Sequence, residues 1–158
     1  MAYNKVYEDT FVYIDLANLE ESIEKKRVVR INYQVLFDYL KERFNARTIF
    51  AYNGIKSEMD NENPFYDMLR AIGYKVSLSK CYESPNGSLI QKEVDTSIVA
   101  DMVDHTISYQ LRNIVLISGD RDMRPAVKIA KSHNCKVTVL CYSGVLSCDL
   151  KDASDEYI

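Results

Sequence analysis

The sequence predicts a three-layer α/β/α sandwich on a mainly parallel sheet of about five strands. Two observations lead there. Short apolar runs rich in β-branched and aromatic residues alternate with segments of helical periodicity. Those runs are unbroken rather than alternating, which is the pattern of strands covered on both faces. Right-handed crossovers then make the sandwich the natural topology. No repeat, low-complexity tract or linker interrupts the alternation, so residues 1–158 read as one domain.

Phe11 to Leu16 is the first buried strand. Tyr33, Leu36, Phe37, Leu40 and Phe44 recur at helical spacing and mark an amphipathic helix. Ala46 to Tyr52 is a second strand, closed by Asn53-Gly54. Pro64 to Ile72 is a helix stopped by Gly73. Tyr74 to Cys81 is a third strand, followed by a Ser84-Pro85-Asn86-Gly87 turn suited to a hairpin tip. Lys92 to Tyr109 is a longer helix, and Asn113 to Ser118 is the most strand-like run in the chain. Pro125 to Ser132 is a helix whose proline suits the first turn. Lys136 to Cys141 is a fifth strand, and the last residues add a helical turn.

Composition excludes several classes. With 158 residues and 47% apolar content, the chain can bury a core without disulfides or a structural metal. No apolar run approaches the roughly 20 residues needed to cross a bilayer. Met1 to Thr10 is polar and mixed in charge, unlike a secretory signal. Cys81, Cys135, Cys141 and Cys148 form no CxxC, and His105 and His133 lie far apart, so no zinc pattern exists. Reduced, mostly buried thiols in a cytoplasmic protein are expected. Most of the 12 Tyr and 5 Phe belong in the core, with a few left to stack on bases.

In open α/β sheets, ligands bind beyond the carboxyl ends of the strands, near the topological switch point. Asp15 closes the first strand and Asn18 follows it, in DLAN. Asp120 and Asp122 follow the fourth strand, in LISGDRD. If those two strands are neighbours, the three acids meet in one crevice. Each acid alone also suits a helix cap. On the long helix, steps of about 100° place Val94, Ile98, Met102 and Tyr109 in one apolar stripe. Asp95 and Asp101 border that stripe, and His105 falls within it, one turn from Asp101. A rise of about 1.5 Å per residue sets the two acids roughly 9 Å apart along the axis, too far to share an ion through the helix alone.

Carboxylates packed together raise one another's pKa, and a hard divalent cation removes that penalty. Mg²⁺ or Mn²⁺ prefers oxygen ligands and retains waters, so two or three Asp suffice. Asn18 and Ser118 would orient waters or ligating carboxylates.

DLAN, KEVDTSIVADMV and ISGDRDMRPAV, in this order, resemble the NYN, or LabA-like, branch of the PIN-domain nucleases, as does the closing stretch SCDLKDASDEYI. The resemblance covers about Phe11 to Tyr157; Met123 stands where that branch often carries Phe. It implies a PIN-like, Rossmannoid sandwich and a metal-dependent ribonuclease. The metal-binding, catalytic acids would be Asp15, Asp95, Asp120 and Asp122, with Asp101, Asn18 and Ser118 in support.

Nothing in the chain matches a P-loop, a G-x-G-x-x-G or a G-x-S-x-G elbow. A metal-bound water attacking an RNA phosphodiester needs no Ser or Cys nucleophile. Arg121 and Arg124 flank the acidic loop and are the favoured phosphate contacts. Lys25, Lys26 and Arg27 form a second basic cluster, with Arg30 beside it. Arg124, Lys128 and Lys131 share a helix face. Single-stranded RNA is the expected partner; DNA and a homodimer stay open. The competing readings are a non-cleaving nucleic-acid or protein interaction module on the same fold, and an Asp-based phosphatase.

The formal net charge of −3 does not exclude such a partner. Five acids belong to the proposed site, and without them the rest of the chain carries a surplus of two positive charges. Residues 25 to 47 hold seven basic groups against two acids. The acidic stretch around Glu58 to Asp67 must then point away from the substrate or restrict it.

Overall fold

A computed structural model describes residues 10–25, 30–141 and 147–158. The chain opens with β1 (Thr10–Asp15), α1 (Leu16–Lys25), α2 (Tyr33–Phe44) and β2 (Ala46–Ile55). A 3-10 turn (Glu58–Glu62), α3 (Pro64–Ile72) and β3 (Lys75–Lys80) follow. Next come the short strands β4 (Tyr82–Glu83) and β5 (Leu89–Ile90), then α4 (Lys92–Ser108) and β6 (Asn113–Ile117). A second 3-10 turn (Arg121–Met123) leads into α5 (Arg124–Ser132), β7 (Lys136–Leu140), α6 (Cys148–Ala153) and β8 (Glu156–Tyr157).

The main sheet has the order β3-β2-β1-β6-β7-β8, and every neighbouring pair is parallel. The three-layer sandwich is as predicted, with one strand more than expected: Glu156–Tyr157 pairs with Thr138–Val139 at the sheet edge. A two-residue strand has no signature of its own, because its pairing with β7 creates it. β4 and β5 form a separate antiparallel hairpin around the Ser84–Gly87 turn.

Three boundaries differ from expectation. The first strand ends at Asp15 and Leu16 already opens α1, a helix the sequence did not set apart. β2 runs through Asn53-Gly54 to Ile55, because β3 pairs with it over Phe50–Ile55. Tyr109 stands at the end of α4 and is exposed; Thr106 takes its place in the buried stripe behind Val94, Ile98 and Met102.

Each layer has its own core. α4, α5 and α6 cover one face, where Tyr13 and Tyr52 meet Ile98, Met102, Val127 and Leu150. α1, α2 and α3 cover the other, where Val12, Ile14 and Ile117 meet Leu16, Leu40 and Leu69. Cap chemistry fixes the helix starts: Asn32 accepts from the Gln34 and Val35 amides, and Asn63 accepts from Phe65 ahead of Pro64. Buried phenols find partners. The Tyr13 hydroxyl and His105 Nδ1 lie 2.9 Å apart, Tyr52 donates to Asp101 at 2.7 Å, and Tyr74 donates to the Tyr33 carbonyl. His105 thus bonds to Tyr13, not to Asp101 one turn away. Cys81 and Cys135 are buried free thiols and Cys141 is half-buried. Burial pushes the Cys135 thiol up to about 12, so it stays protonated.

Gly54 allows β2 and β3 to close around Cys81. A Cβ at position 54 would lie 1.8 Å from Cys81 Sγ. Gly54→Ala should therefore lower the unfolding free energy by about 1–3 kcal/mol. Adding Cys81→Ala, which removes the sulfur, should recover most of that loss. Chemical denaturation of the three variants checks this, and a double variant no more stable than Gly54→Ala alone would refute it.

Candidate active site

Chain order and sheet order together create the site. From β1 the chain builds outward through β2 and β3, then returns to start β6 on the other side of β1. This is the switch point at which a crevice opens beyond the carboxyl ends of the strands. Ile14 of β1 pairs with Ile117 of β6, so Asp15 and Ser118 leave the sheet side by side.

Asp15 is only 5% exposed. Its Oδ1 accepts from the Asn18 amide at 3.2 Å, and its Oδ2 accepts from the Ser118 hydroxyl at 3.4 Å. The Asn18 side chain crosses to the other strand end, where its Oδ1 accepts from the Gly119 amide at 2.9 Å. Ser118 Oγ in turn accepts from the Asp120 amide. Asp120 caps the second 3-10 turn by accepting from the Asp122 amide at 2.9 Å. The cap roles open to Asp15 and Asp120 are thus real, and they coexist with the shared crevice: each cap aims a carboxylate.

α4 completes the arrangement from the opposite side. One carboxylate oxygen each from Asp95, Asp120 and Asp122 lies within 4.8 Å of the others. Asp95 and Asp120 are half-buried and Asp122 is exposed, so the cluster faces outward from a buried base. All donors are carboxylate oxygens, which suits a hard divalent cation and not zinc or copper. Asp15 lies behind the trio, with both of its oxygens already accepting. Asp101 is not brought to the cluster: Tyr52 holds its Oδ2 farther along α4.

The electrostatics follow first from burial and then from this crowding. Burial pushes the Asp15 carboxyl up to about 6, against the pull of the Asn18 amide and with a further push from Asp120. Burial and the charges of Asp15, Asp120 and Asp122 push Asp95 up to about 7.

The predicted cationic residues scatter more. Arg121 and Arg124 are exposed beside the acidic turn. Lys25 is paired with Glu21 at 2.6 Å on the surface of α1, and Lys131 reaches Asp155 at 3.5 Å, leaving Arg124 and Lys128 on the α5 stripe. Lys26 and Arg27 lie outside the described residues. Sequence reasoning missed a cleft of about 440 Å³ beside the acids, between α1, the end of β2 and the first 3-10 turn. Its walls come from three separate segments, so no local motif announces it.

A parallel sandwich with carboxylates gathered at its switch point defines a PIN-like domain. The NYN domain profile matches residues 9–158, and the chain belongs to that family, a branch of a nuclease superfamily. It is 31% identical over 114 residues to the low amplitude and bright protein LabA of Synechococcus elongatus. That match takes in 69% of this chain and 60% of the cyanobacterial protein, so the chain spans about three fifths of that relative. An uncharacterized protein of Sinorhizobium fredii is 38% identical over 55 residues, covering 35% of this chain and 26% of that one. A crystal structure of a Vibrio parahaemolyticus protein of unknown function superposes with a TM-score of 0.79 at 23% identity, covering 96% of this chain and 91% of the other. Among the described residues no helix is long and apolar enough to cross a membrane.

The raised carboxyls make stability depend on pH. In the metal-free protein, Asp15 and Asp95 hold protons that the unfolded chain releases near pH 4. The unfolded state then binds fewer protons, so stability falls as pH rises from about 4 to about 7. Asp95→Asn should flatten that fall and raise the midpoint of thermal unfolding at pH 8 without added metal. A wild-type midpoint that climbs across this window in EDTA would contradict the geometry.

Proposed function

We propose that this chain is a Mg²⁺- or Mn²⁺-dependent ribonuclease that hydrolyses phosphodiesters of single-stranded RNA at the Asp cluster. The observation that carries this reading is the convergence of Asp95, Asp120 and Asp122 within 4.8 Å at the switch point of an NYN domain. These three, with Asp15 behind them, would hold the metal. The ion supplies charge neutralisation at the phosphate and an activated water when bound. The protein's share is positioning. Asn18 and Ser118 tie the two strand ends into one rigid base, and the 3-10 turn presents Asp122 to the open side. Arg121 and Arg124 border that side and would meet the phosphates flanking the cleaved bond.

A covalent phosphoaspartate fits less well. Asp15, the acid a phosphatase would use, is buried, and both of its oxygens accept hydrogen bonds. A non-cleaving module gains nothing from carboxylates crowded within 4.8 Å of one another.

Incubation of 5′-labelled single-stranded RNA with Mn²⁺ should yield cleavage products, and EDTA should abolish them. Asp120→Asn should slow cleavage at least about 100-fold while leaving the fold intact. RNA binding without cleavage in either metal would overturn the reading in favour of the interaction module. Release of phosphate from a small ester would favour the phosphatase.

The arginines make a separate expectation. Arg124→Ala should weaken RNA binding by a similar factor for all sequences and lower the slope of log K against log salt by about 1. An unchanged slope would remove Arg124 from the phosphate path.

A further inference from the structure

The cleft beside the acids has a chemistry of its own. Its walls share elements with the site: Ala17 lies on α1, two residues after Asp15, and Gln91 precedes α4, where its carbonyl accepts from the Asp95 amide at 3.3 Å. Its volume of about 440 Å³ falls within the usual range of small-molecule sites, about 300–1,000 Å³.

Phosphate does not belong in it. Carboxylates of Glu20, Glu21, Glu24 and Asp60 line it, and among the described residues its one lining cation, Lys56, already pairs with Glu83 at 3.5 Å. Nor do these acids converge on a metal: among the described residues the group close enough for one ion is Asp95, Asp120 and Asp122. Hydrogen-bond donors suit this lining, and among uncharged ones a flat group with apolar faces also uses its apolar walls.

The fixed parts of the lining match such a group. Glu20 Oε1 is held by the Tyr33 hydroxyl at 3.0 Å, which sets the direction of the carboxylate. A carboxylate offers two acceptor oxygens side by side, each with a second lone pair. Tyr66 accepts from the Asn53 side-chain amide at 3.0 Å, and its own hydroxyl proton is left to donate. Ile55 and Leu89 add apolar walls, with Leu89 46% exposed on the β4–β5 hairpin. Among nucleobases, guanine alone carries two neighbouring N–H donors, N1–H and the 2-amino group, beside an acceptor oxygen. Single-stranded RNA is read by such splayed-out bases.

We propose that this cleft is a guanine subsite, in which N1–H and the 2-amino group donate to the Glu20 carboxylate while the acidic lining keeps phosphates outside. The proposal rests on the ribonuclease reading for its biological substrate, and its test does not require cleavage.

Titration of the metal-free protein with guanosine, adenosine, cytidine and uridine, followed by amide chemical shifts, reads it directly. Guanosine should saturate the shifts of Ala17, Asn53 and Gln91, at least about tenfold more tightly than the other three. Guanosine 5′-monophosphate should bind no better than guanosine. Glu20→Gln, which replaces one acceptor by a donor, should weaken guanosine roughly five- to one-hundredfold, whereas Glu62→Gln, outside the lining, should not. Equal affinity for the four nucleosides, or no saturation at millimolar concentration, overturns the proposal. So does spermidine acting on the same amides in place of guanosine, because the cleft is then a cation site. RNA cleavage with Mn²⁺ and no nucleoside preference would remove the subsite and leave the nuclease. Selective guanosine binding with no cleavage would keep the subsite and remove the nuclease.

Discussion

Mutual repulsion among four carboxylates at one end of a parallel sheet is the constraint on which the rest of the structure depends. Asp15, Asp95, Asp120 and Asp122 come from a strand end, a helix and a loop, and each would move apart if it could. Hydrogen bonds hold two of them in place. Asp15 is locked by Ser118 and the Asn18 amide, and Asp120 by the Asp122 amide it caps. Asn18 spans the gap between the two strand ends. Burial first, and crowding after it, hold the Asp15 and Asp95 carboxyls above the usual carboxylate range. Such a site is relieved by protons or by a divalent cation.

How much of this was legible in the sequence depends on whether a feature is local. Asp15, Asp120 and Asp122 stand at the ends of apolar runs, and the parallel sheet turns that position into an address. Helix phase marked Asp95 as a border acid of the stripe that must face the sheet, and the family resemblance set it among the metal-binding acids. Asp101 shows the limit of phase. It borders the same stripe, but Tyr52, 49 positions earlier in the chain, claims its carboxylate. Nothing in the spacing of α4 records which strand residue waits opposite. The Asn18–Gly119 bond, spanning 101 positions, is invisible for the same reason. α1 was missed because its first residue continues the apolar run of β1 with no Gly or Pro between them. β8 exists only because β7 offers an edge.

The distribution of charge now has a structural meaning that the total of −3 does not convey. Acids occupy the switch point and line the cleft, while Arg121, Arg124 and Lys128 are exposed along the second 3-10 turn and α5. A polyanion approaching this surface meets attraction on one side and repulsion on the other. The acidic turn after β2 stands at that cleft: Asp60 lines it and holds its own turn by accepting from the Lys56 and Ser57 amides.

The position of α4 decides whether the acids meet at all, because Asp95 is the member carried by a helix and not by the sheet. Its apolar stripe of Val94, Ile98 and Met102 binds the helix to the sheet but resists sliding only weakly, since apolar contacts lack direction. Two polar bonds supply the missing direction: Tyr52 to Asp101, and Tyr13 with His105 one turn later. Both phenols project from β1 and β2, the strands that also set Asp15 and the floor of the cleft. Burial raises both phenols far above their usual pKa, so they remain protonated at any physiological pH. A slip of one helical turn would leave the half-buried Asp101 carboxylate and His105 imidazole without these partners. Asp101 thus belongs to the site mechanically: it fixes the register of the helix that carries Asp95, at a distance from any ion.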